Sequence, residues 1–166
     1  MRLEDSVTLI DIQNRSYERA GPGILESYPQ SLAMDVHRLA AFLEGKRYAV
    51  LATSRPDGRA QAAPVAFTVW DGAFWFASVP GARVRNLRAR SYAAAVVTEG
   101  EGKVHRAVIA EGAVRLIEAN SGEVPAGLLV LWRERHGGAP TWAAMFVELR
   151  PRLLFSYDAT KQMTGS

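Results

Sequence analysis

The sequence predicts a mainly β fold, a small antiparallel barrel of six or seven strands with flanking helices. Short apolar or alternating runs follow one another after Gly45, and several of them are joined by short turns of the types RPDG, DG and GEGK. Such turns join antiparallel neighbours, because a parallel pair needs a long crossover connection. Helical periodicity is confined to a few segments, which favours a barrel with flanking helices over a doubly wound parallel sheet.

Five of the runs are predicted to form a meander. They are YAVLATS (48–54), AQAAPVAFTVW (60–70), AFWFAS (73–78), YAAAVVTE (92–99) and VHRAVIAEGAVRLIE (104–118). A last strand, or a pair of strands, is predicted in MFVELRPRLLFSY (145–157). Pro151 lacks a backbone N–H, so it indicates a bend or an edge position there.

Helices are predicted at residues 31–45, 83–90 and 121–137. In the first, apolar residues recur at helical spacing, with Ser31 as the candidate N-cap and Gly45 as the candidate end. In the last, Ser121 is the candidate cap and Gly137 the candidate end. The middle helix is short and follows the strand 73–78.

Length and composition indicate one folded domain. The chain has 166 residues, of which 48% are hydrophobic and 22% charged, and it contains no cysteine. Disulfides and thiol chemistry are therefore excluded, and a single apolar core is expected. We predict an N-terminal extension or arm over 1–30, a barrel domain over 31–158 and a loose tail over 159–166. Residues 1–30 lack a sustained period and are interrupted by AGPG.

The N-terminal residues do not resemble a secretory leader, and no long apolar stretch is present. We therefore expect a cytoplasmic protein without membrane contacts. The net charge of +3 is modest, but arginines gather between Arg83 and Arg115. This local excess of positive charge indicates an anion site more specifically than the net charge does.

No familiar catalytic set is present. The histidines His37, His105 and His136 lack the spacing of a metal site, and phosphate-loop, nucleophile-elbow and GxGxxG motifs are absent. Asp57 and Asp71 precede glycines and are explained by turns. No catalytic residue and no metal site are predicted, so the protein either binds without reacting or uses the chemistry of a cofactor.

The segment PGARVRNLRARS (80–91) carries the anion-site hypothesis. Arg83 opens the short helix, where unpaired N–H groups and the helix dipole favour a phosphate, and Ser78 and Asn86 supply neutral donors. The alternative is a solvated basic helix. A second feature is RPDGRAQAAPVAF (55–67), in which small side chains leave room for a flat ring on a strand or simply fit a tight barrel interior.

In this order, LATSRPDGRAQAAPVAF, DGAFWFAS, GARVRNLRAR, YAAAVV and AEGAVRLIE resemble the pyridoxamine 5'-phosphate oxidase-like proteins with the flavin-binding split-barrel fold. The branch that they resemble most is the flavin/deazaflavin oxidoreductases. The resemblance covers about residues 39–157 and implies a split barrel. It also implies a homodimer with cofactor sites between the subunits.

By this resemblance, the cofactor phosphate contacts Arg83, with Ser78 and Asn86 nearby. The ring platform implied by the resemblance consists of Gln61, Ala62, Ala63, Pro64 and Val65. The partner subunit closes the site with its C-terminal part, where Trp142 and Arg152 are candidates. Two positions depart from the family pattern, since Arg83 replaces a usual lysine and Ala60 a usual proline.

Two functions follow from the resemblance. The first is an oxidoreductase that transfers a hydride between FMN or coenzyme F420 and a small organic substrate. The second is a non-catalytic protein that binds a cofactor or haem on the same scaffold. F420 has a longer anionic tail than FMN. Further cations could contact that tail, namely Arg85, Arg88, Lys103 and Arg106. Nucleic-acid binding is disfavoured, because no aromatic residue interrupts the basic segment.

Overall fold

The computed structural model describes residues 1–101 and 104–160 of the chain. Six strands form a closed antiparallel barrel: β1 (Tyr48–Ser54), β2 (Ala60–Trp70), β3 (Ala73–Ser78), β4 (Tyr92–Glu99), β5 (Arg106–Glu118) and β6 (Met145–Asp158). Five helices flank it: α1 (Leu3–Glu18), α2 (Pro22–Ser27), α3 (Val36–Glu44), α4 (Ala82–Ala89) and α5 (Ala126–His136). A short 3₁₀ turn covers Gln30–Leu32.

The predicted barrel is confirmed, but the predicted meander is wrong. The strands are ordered β1-β2-β3-β6-β5-β4, and β4 closes the barrel against β1. After β3 the chain crosses through α4, and β6 then fills the place beside β3. This pairing joins residues far apart in sequence, so local runs and turns do not reveal it. The last segment is one long strand rather than a pair.

Pro151 lies where β6 stops pairing with β3 and where its register with β5 shifts. β6 pairs with β3 only as far as Leu149, so the proline avoids the ladder with β3. On the other side the register shifts, because Glu111 is opposite Leu153 while Gly112 is opposite Pro151. Arg152 is the extra residue of this bulge. The bend or edge position predicted from the proline is therefore confirmed.

Helix α1 covers the part of β6 that β3 leaves open. The backbone N–H of Leu154 donates to Ser16 Oγ at 2.9 Å, and the Tyr17 hydroxyl donates to the Ser156 carbonyl at 3.0 Å. Leu9 is fully buried in the barrel core. The segment 1–30 thus contains a helix packed on the barrel, which the weak apolar period of the sequence did not indicate.

The helix starts predicted at two serines are wrong. Asp35 caps α3, and its carboxylate accepts from the N–H groups of His37 and Arg38 at 3.0 and 2.9 Å. Ser121 donates to the Glu118 carbonyl in the turn after β5, and α5 begins only after Pro125. A carboxylate and a proline were the stronger start signals.

Two apolar clusters stabilise the molecule. The first fills the barrel and continues to α1 and α3. The second lies outside the barrel, where α5 covers parts of β3, β5 and β6 through Trp75, Ile117, Leu128, Trp132 and Phe146. No helix in the described ranges is both long and apolar enough to span a membrane.

Candidate functional site

The centre of the candidate site is the pair Ser78 and Arg83. Ser78 is the buried last residue of β3, and Arg83 lies in the first turn of α4. Arg83 Nη1 donates to Ser78 Oγ at 3.1 Å. Burial lowers the pKa of the half-buried Arg83 guanidinium. An arginine nevertheless remains charged at neutral pH.

No carboxylate in the described part of the chain compensates this charge. Within residues 1–101 and 104–160, Arg83 forms no ion pair. By contrast, Arg115 and Arg150 pair with the buried Glu148 carboxylate, and Arg135 donates to a backbone carbonyl. Removing a cation from water without a counterion is unfavourable. The position is therefore suited to a bound anion.

The start of α4 adds backbone donors to this position. Gly81 is the N-cap residue and supplies no side chain to the first N–H groups. Its carbonyl accepts from Arg85 N at 3.0 Å, which leaves earlier N–H groups of the turn for an external acceptor. The helix dipole acts in the same direction.

Asn86 and Gln61 have a structural contact that the sequence did not reveal. Asn86 Nδ2 donates to Gln61 Oε1 at 2.8 Å and to Thr53 Oγ1 at 3.0 Å. These bonds connect α4 to β1 and β2 beneath the anion position. The contribution of Thr53 was missed, since a threonine in an apolar strand carries no distinguishing signal.

An open groove of about 520 Å³ lies beside α4. Its lining comprises Arg55, Pro56, Asp57, Ala82, Arg85 and Asn86. Arg85 was predicted as a cofactor contact and lines the groove, whereas Arg55 was not predicted. The β1–β2 turn brings Arg55 opposite α4, so two exposed cations, Arg55 and Arg85, line the groove, and Arg83 is not among its lining residues.

The predicted ring platform divides between the two faces of β2. Val65 is buried in the barrel core, and Gln61 and Ala63 share its side of the strand because side chains alternate. Ala62 and Pro64 are exposed on the outer face. A ring placed on this strand from outside therefore meets small or flat side chains and the backbone.

Other predicted residues lie away from this position in the same subunit. Trp142 lines a separate pocket with Tyr48 and Ala66, and Arg152 is exposed at the β6 bulge. Of the further cations, Arg88 is exposed, and Arg106 pairs with Asp158 at the barrel end opposite α4. Lys103 lies outside the described residues.

Comparison with solved structures finds the same fold in proteins of several kinds. The haem storage protein HutZ from Vibrio cholerae has a TM-score of 0.62 at 20% identity, covering 72% of this chain and 92% of that one. An FAD-binding protein from Mesorhizobium loti has a TM-score of 0.61 at 18% identity, covering 76% and 94%. An F420 reductase has a TM-score of 0.54 at 25% identity, covering 69% and 93%.

No curated protein matches the sequence significantly. The family model described as pyridoxamine 5'-phosphate oxidase matches residues 36–152, which include the whole barrel up to the β6 bulge and both parts of the candidate site. The chain therefore belongs to the pyridoxamine 5'-phosphate oxidase-like family of split-barrel proteins.

Proposed function

We propose that this protein is a cytoplasmic oxidoreductase that uses FMN or coenzyme F420 and transfers a hydride to or from a small organic substrate. The observation that carries the proposal is the half-buried Arg83 guanidinium, which donates to Ser78 and has no acidic partner in the described ranges. A phosphate would supply the missing negative charge. Arginine, hydroxyl and helix N–H donors together suit a phosphate group.

The fixed surroundings of Arg83 also support this proposal. Asn86 is held by Gln61 and Thr53, so its helix is fastened to the barrel at the point where the anion would bind. A donor set held in advance costs less conformational entropy on binding than a flexible one. We therefore assign the phosphate contact to Arg83 and Ser78, and the support of that contact to Asn86 and Gln61.

The groove beside α4 bears on the choice of cofactor. Arg55 and Arg85 border it outside the phosphate position, and they favour a ligand with further negative charge beyond one phosphate. FMN would place its one phosphate at Arg83 and Ser78, whereas the tail of F420 carries additional anionic groups that Arg55 and Arg85 would contact. The F420 reductase among the structural neighbours, at 25% identity, supports the same choice.

When bound, a flavin or deazaflavin ring supplies the atom that accepts or donates the hydride. The chain's own residues bind and orient the ring. Ala62 and Pro64 offer a flat outer surface on β2, and the arginines hold the anionic end. Because the cofactor would supply the reactive atom, the protein needs no acid, base or nucleophile of a familiar catalytic set, and its sequence shows none.

We also propose that the protein acts as a homodimer. The outer face of β1 exposes Tyr48 by 65% and Val50 by 37%, and the exposed part of β2 lies directly beside it. A second copy on this face would bury these apolar side chains and enclose the ring surface. The C-terminal part of the partner, with Trp142 and Arg152 as candidates, would complete the site.

A non-catalytic role is the second candidate function. The haem storage protein among the structural neighbours, with a TM-score of 0.62, favours this candidate. The residues that line the groove include no histidine to bind a haem iron, which favours a flavin or deazaflavin over haem as the ligand there. The same scaffold would then hold a flavin, a deazaflavin or haem without turnover. Reduction of a broad set of electron acceptors by the loaded protein distinguishes the enzyme from such a carrier.

The direct test is to purify the protein from a host that makes F420 and to record its absorption spectrum. Mass spectrometry then identifies whatever the denatured protein releases. We expect FMN or F420, with F420 favoured by the two outer arginines. Release of haem alone, or failure of both FMN and F420 to bind the purified protein in titrations, would contradict the proposed function.

A further inference from the structure

A second pocket lies further along β2 from the groove beside α4, here called the arginine groove, at the point where β2 pairs with the start of β1. We call it the α5 pocket, because the C-terminal end of α5 and the loop that follows it form one wall. Its volume is about 300 Å³, at the small end of the range for ligand pockets. The lining residues with functional side chains are Arg47, Tyr48, Trp132, His136 and Trp142, and Ala66 forms part of the opposite wall.

The α5 pocket continues the outer surface of β2. Ala62, Pro64 and Ala66 follow one another on the same face of the strand. From Ala60, beside the arginine groove, to Ala66 is about 20 Å at the usual rise of a strand. A ring resting on Ala62 and Pro64 would therefore lie between the anion position and this pocket.

Three aromatic side chains line the pocket together with polar side chains and loop backbone. Within one subunit Trp142 is 56% exposed and Tyr48 is 65% exposed, which is unusual for side chains of this size, and in the proposed homodimer the pocket lies at the edge of the face that the second copy covers. Trp132 is buried and lies against the His136 ring, with 4.4 Å between ring centroids. Exposed aromatic faces beside a buried aromatic pair suit a flat ligand.

The polar groups of the pocket are cationic or neutral. None of its lining residues, all of them described, is acidic. Arg47 is exposed and forms no ion pair with any residue of 1–101 or 104–160. The Nε2 atom of His136 lies 3.0 Å from the Phe67 carbonyl, which can only accept, so Nε2 carries the proton in this contact. Nδ1 then remains as an acceptor.

From these contacts we infer that the α5 pocket binds the substrate, and that the substrate is a compact planar organic acid such as an aromatic carboxylate. The carboxylate pairs with the Arg47 guanidinium, and the ring packs between Trp142 and the outer face of β2. Substrate and cofactor ring then lie side by side along one strand. The assignment as a substrate pocket rests on the proposed function, whereas the binding chemistry rests on the pocket alone.

The test uses cofactor-free protein and two probes of the same shape, benzoate and neutral benzamide. Isothermal titration is expected to show that benzoate binds at least about tenfold more tightly than benzamide, as one charge-assisted contact predicts. Arg47→Gln should remove this preference by weakening benzoate alone. Trp142→Ala should weaken both probes. Arg133→Gln, which changes an exposed arginine of α5 outside the pocket, serves as the matched control and should change neither.

Equal affinity for the two probes, or unchanged benzoate affinity in Arg47→Gln, overturns the inference. So does failure of benzoate to bind at all. These outcomes are separate from those of the proposed function, because no cofactor is present in the titration. Benzoate binding in a protein that binds neither FMN nor F420 would retain the pocket and its ligand class and reject the oxidoreductase.

Discussion

At the scale of single residues, Arg83 differs from the other arginines that contact buried groups. The buried Glu148 carboxylate has Arg115 and Arg150 at 2.7 Å each, so that cluster contains its own counterions. Arg135 donates to carbonyls at the end of α3, where the helix dipole favours a cation. Among the described residues, Arg83 has only the Ser78 hydroxyl as a partner. The other N–H donors of its guanidinium are thus available to a ligand.

The sequence identified Arg83 correctly as a residue at a helix start, but it did not reveal this difference in pairing. A basic run looks the same whether or not carboxylates from distant strands reach it. Glu148 is separated from Arg115 by a whole helix and a strand boundary in the chain. Only the barrel register brings Arg115 opposite Glu148.

Gly112 is the residue whose replacement should disturb the barrel most directly. A Cβ atom there would lie 1.9 Å from the Arg150 carbonyl oxygen, because the β6 bulge brings the two backbones together. Backbone has to shift to relieve this clash. We expect Gly112→Ala to lower the free energy of unfolding by about 1–3 kcal/mol or more, measured by chemical denaturation.

Gly100→Ala is the control for Gly112, since a Cβ at Gly100 meets no atom of the described residues within 4 Å. Its free energy of unfolding should stay within about 0.5 kcal/mol of that of the wild type. Equal stability of the Gly112→Ala and Gly100→Ala proteins would show that the bulge does not bring β5 and β6 this close.

At the scale of elements, the strands were easier to predict than the helices. The bounds of β1, β2, β3 and β4 agree with the apolar runs, because a barrel strand alternates or is buried throughout. Helix α1 shows no comparable signal. Its buried side includes Asp5, Ser6, Gln13 and Ser16, so polar and apolar positions do not separate. Asp5, Gln13 and Ser16 bond distant backbone groups, which a sequence pattern does not show, whereas Ser6 bonds the backbone of its own turn.

Ser16 offers a test of how α1 stabilises the barrel. Its hydroxyl accepts the N–H of Leu154, on the edge of β6 that lacks a strand partner. Ser16→Ala leaves this buried N–H unsatisfied. We expect a loss of about 1–3 kcal/mol in the free energy of unfolding, measured in urea.

Ser27→Ala in the exposed helix α2 is the matched change, because among the residues that the structure describes its hydroxyl bonds only the Gly23 carbonyl of the same helix. Its effect should be within about 0.5 kcal/mol. If Ser16→Ala proves equally neutral, α1 does not complete the β6 edge in solution.

At the scale of the whole molecule, closure of the barrel was predictable, but the order of its strands was not. Turns between β1, β2 and β3 specify their antiparallel order locally. The position of β6 beside β3 depends on contacts between residues that α4, β4, β5 and α5 separate in the chain. The resemblance to a known family supplied the split-barrel fold, which is confirmed, and the proposed phosphate contact of Arg83, which stays a prediction. It did not supply Thr53, Arg55 or the α5 pocket.

The homodimer proposal predicts a particle of twice the 18.2 kDa chain mass, measured by light scattering after size-exclusion chromatography. Val50→Glu places a charge on the outer face of β1 and should yield monomers, because an unpaired charge is unfavourable in an apolar interface. Val130→Glu changes an equally simple, 50% exposed valine on α5 and should remain dimeric. A wild-type monomer, or a dimer in Val50→Glu, would contradict the proposal.

The measurement that tests the central claim most directly is the affinity of Arg83→Ala for FMN and F420, titrated beside the wild type and Arg88→Ala. Arg88 is an exposed arginine of the same helix and serves as the charge-matched control. Loss of a charge-assisted phosphate contact should weaken the bound cofactor by more than about tenfold in Arg83→Ala, while Arg88→Ala changes it little. Unchanged affinity in Arg83→Ala, or an equal loss in both variants, would contradict the phosphate position and the function built on it.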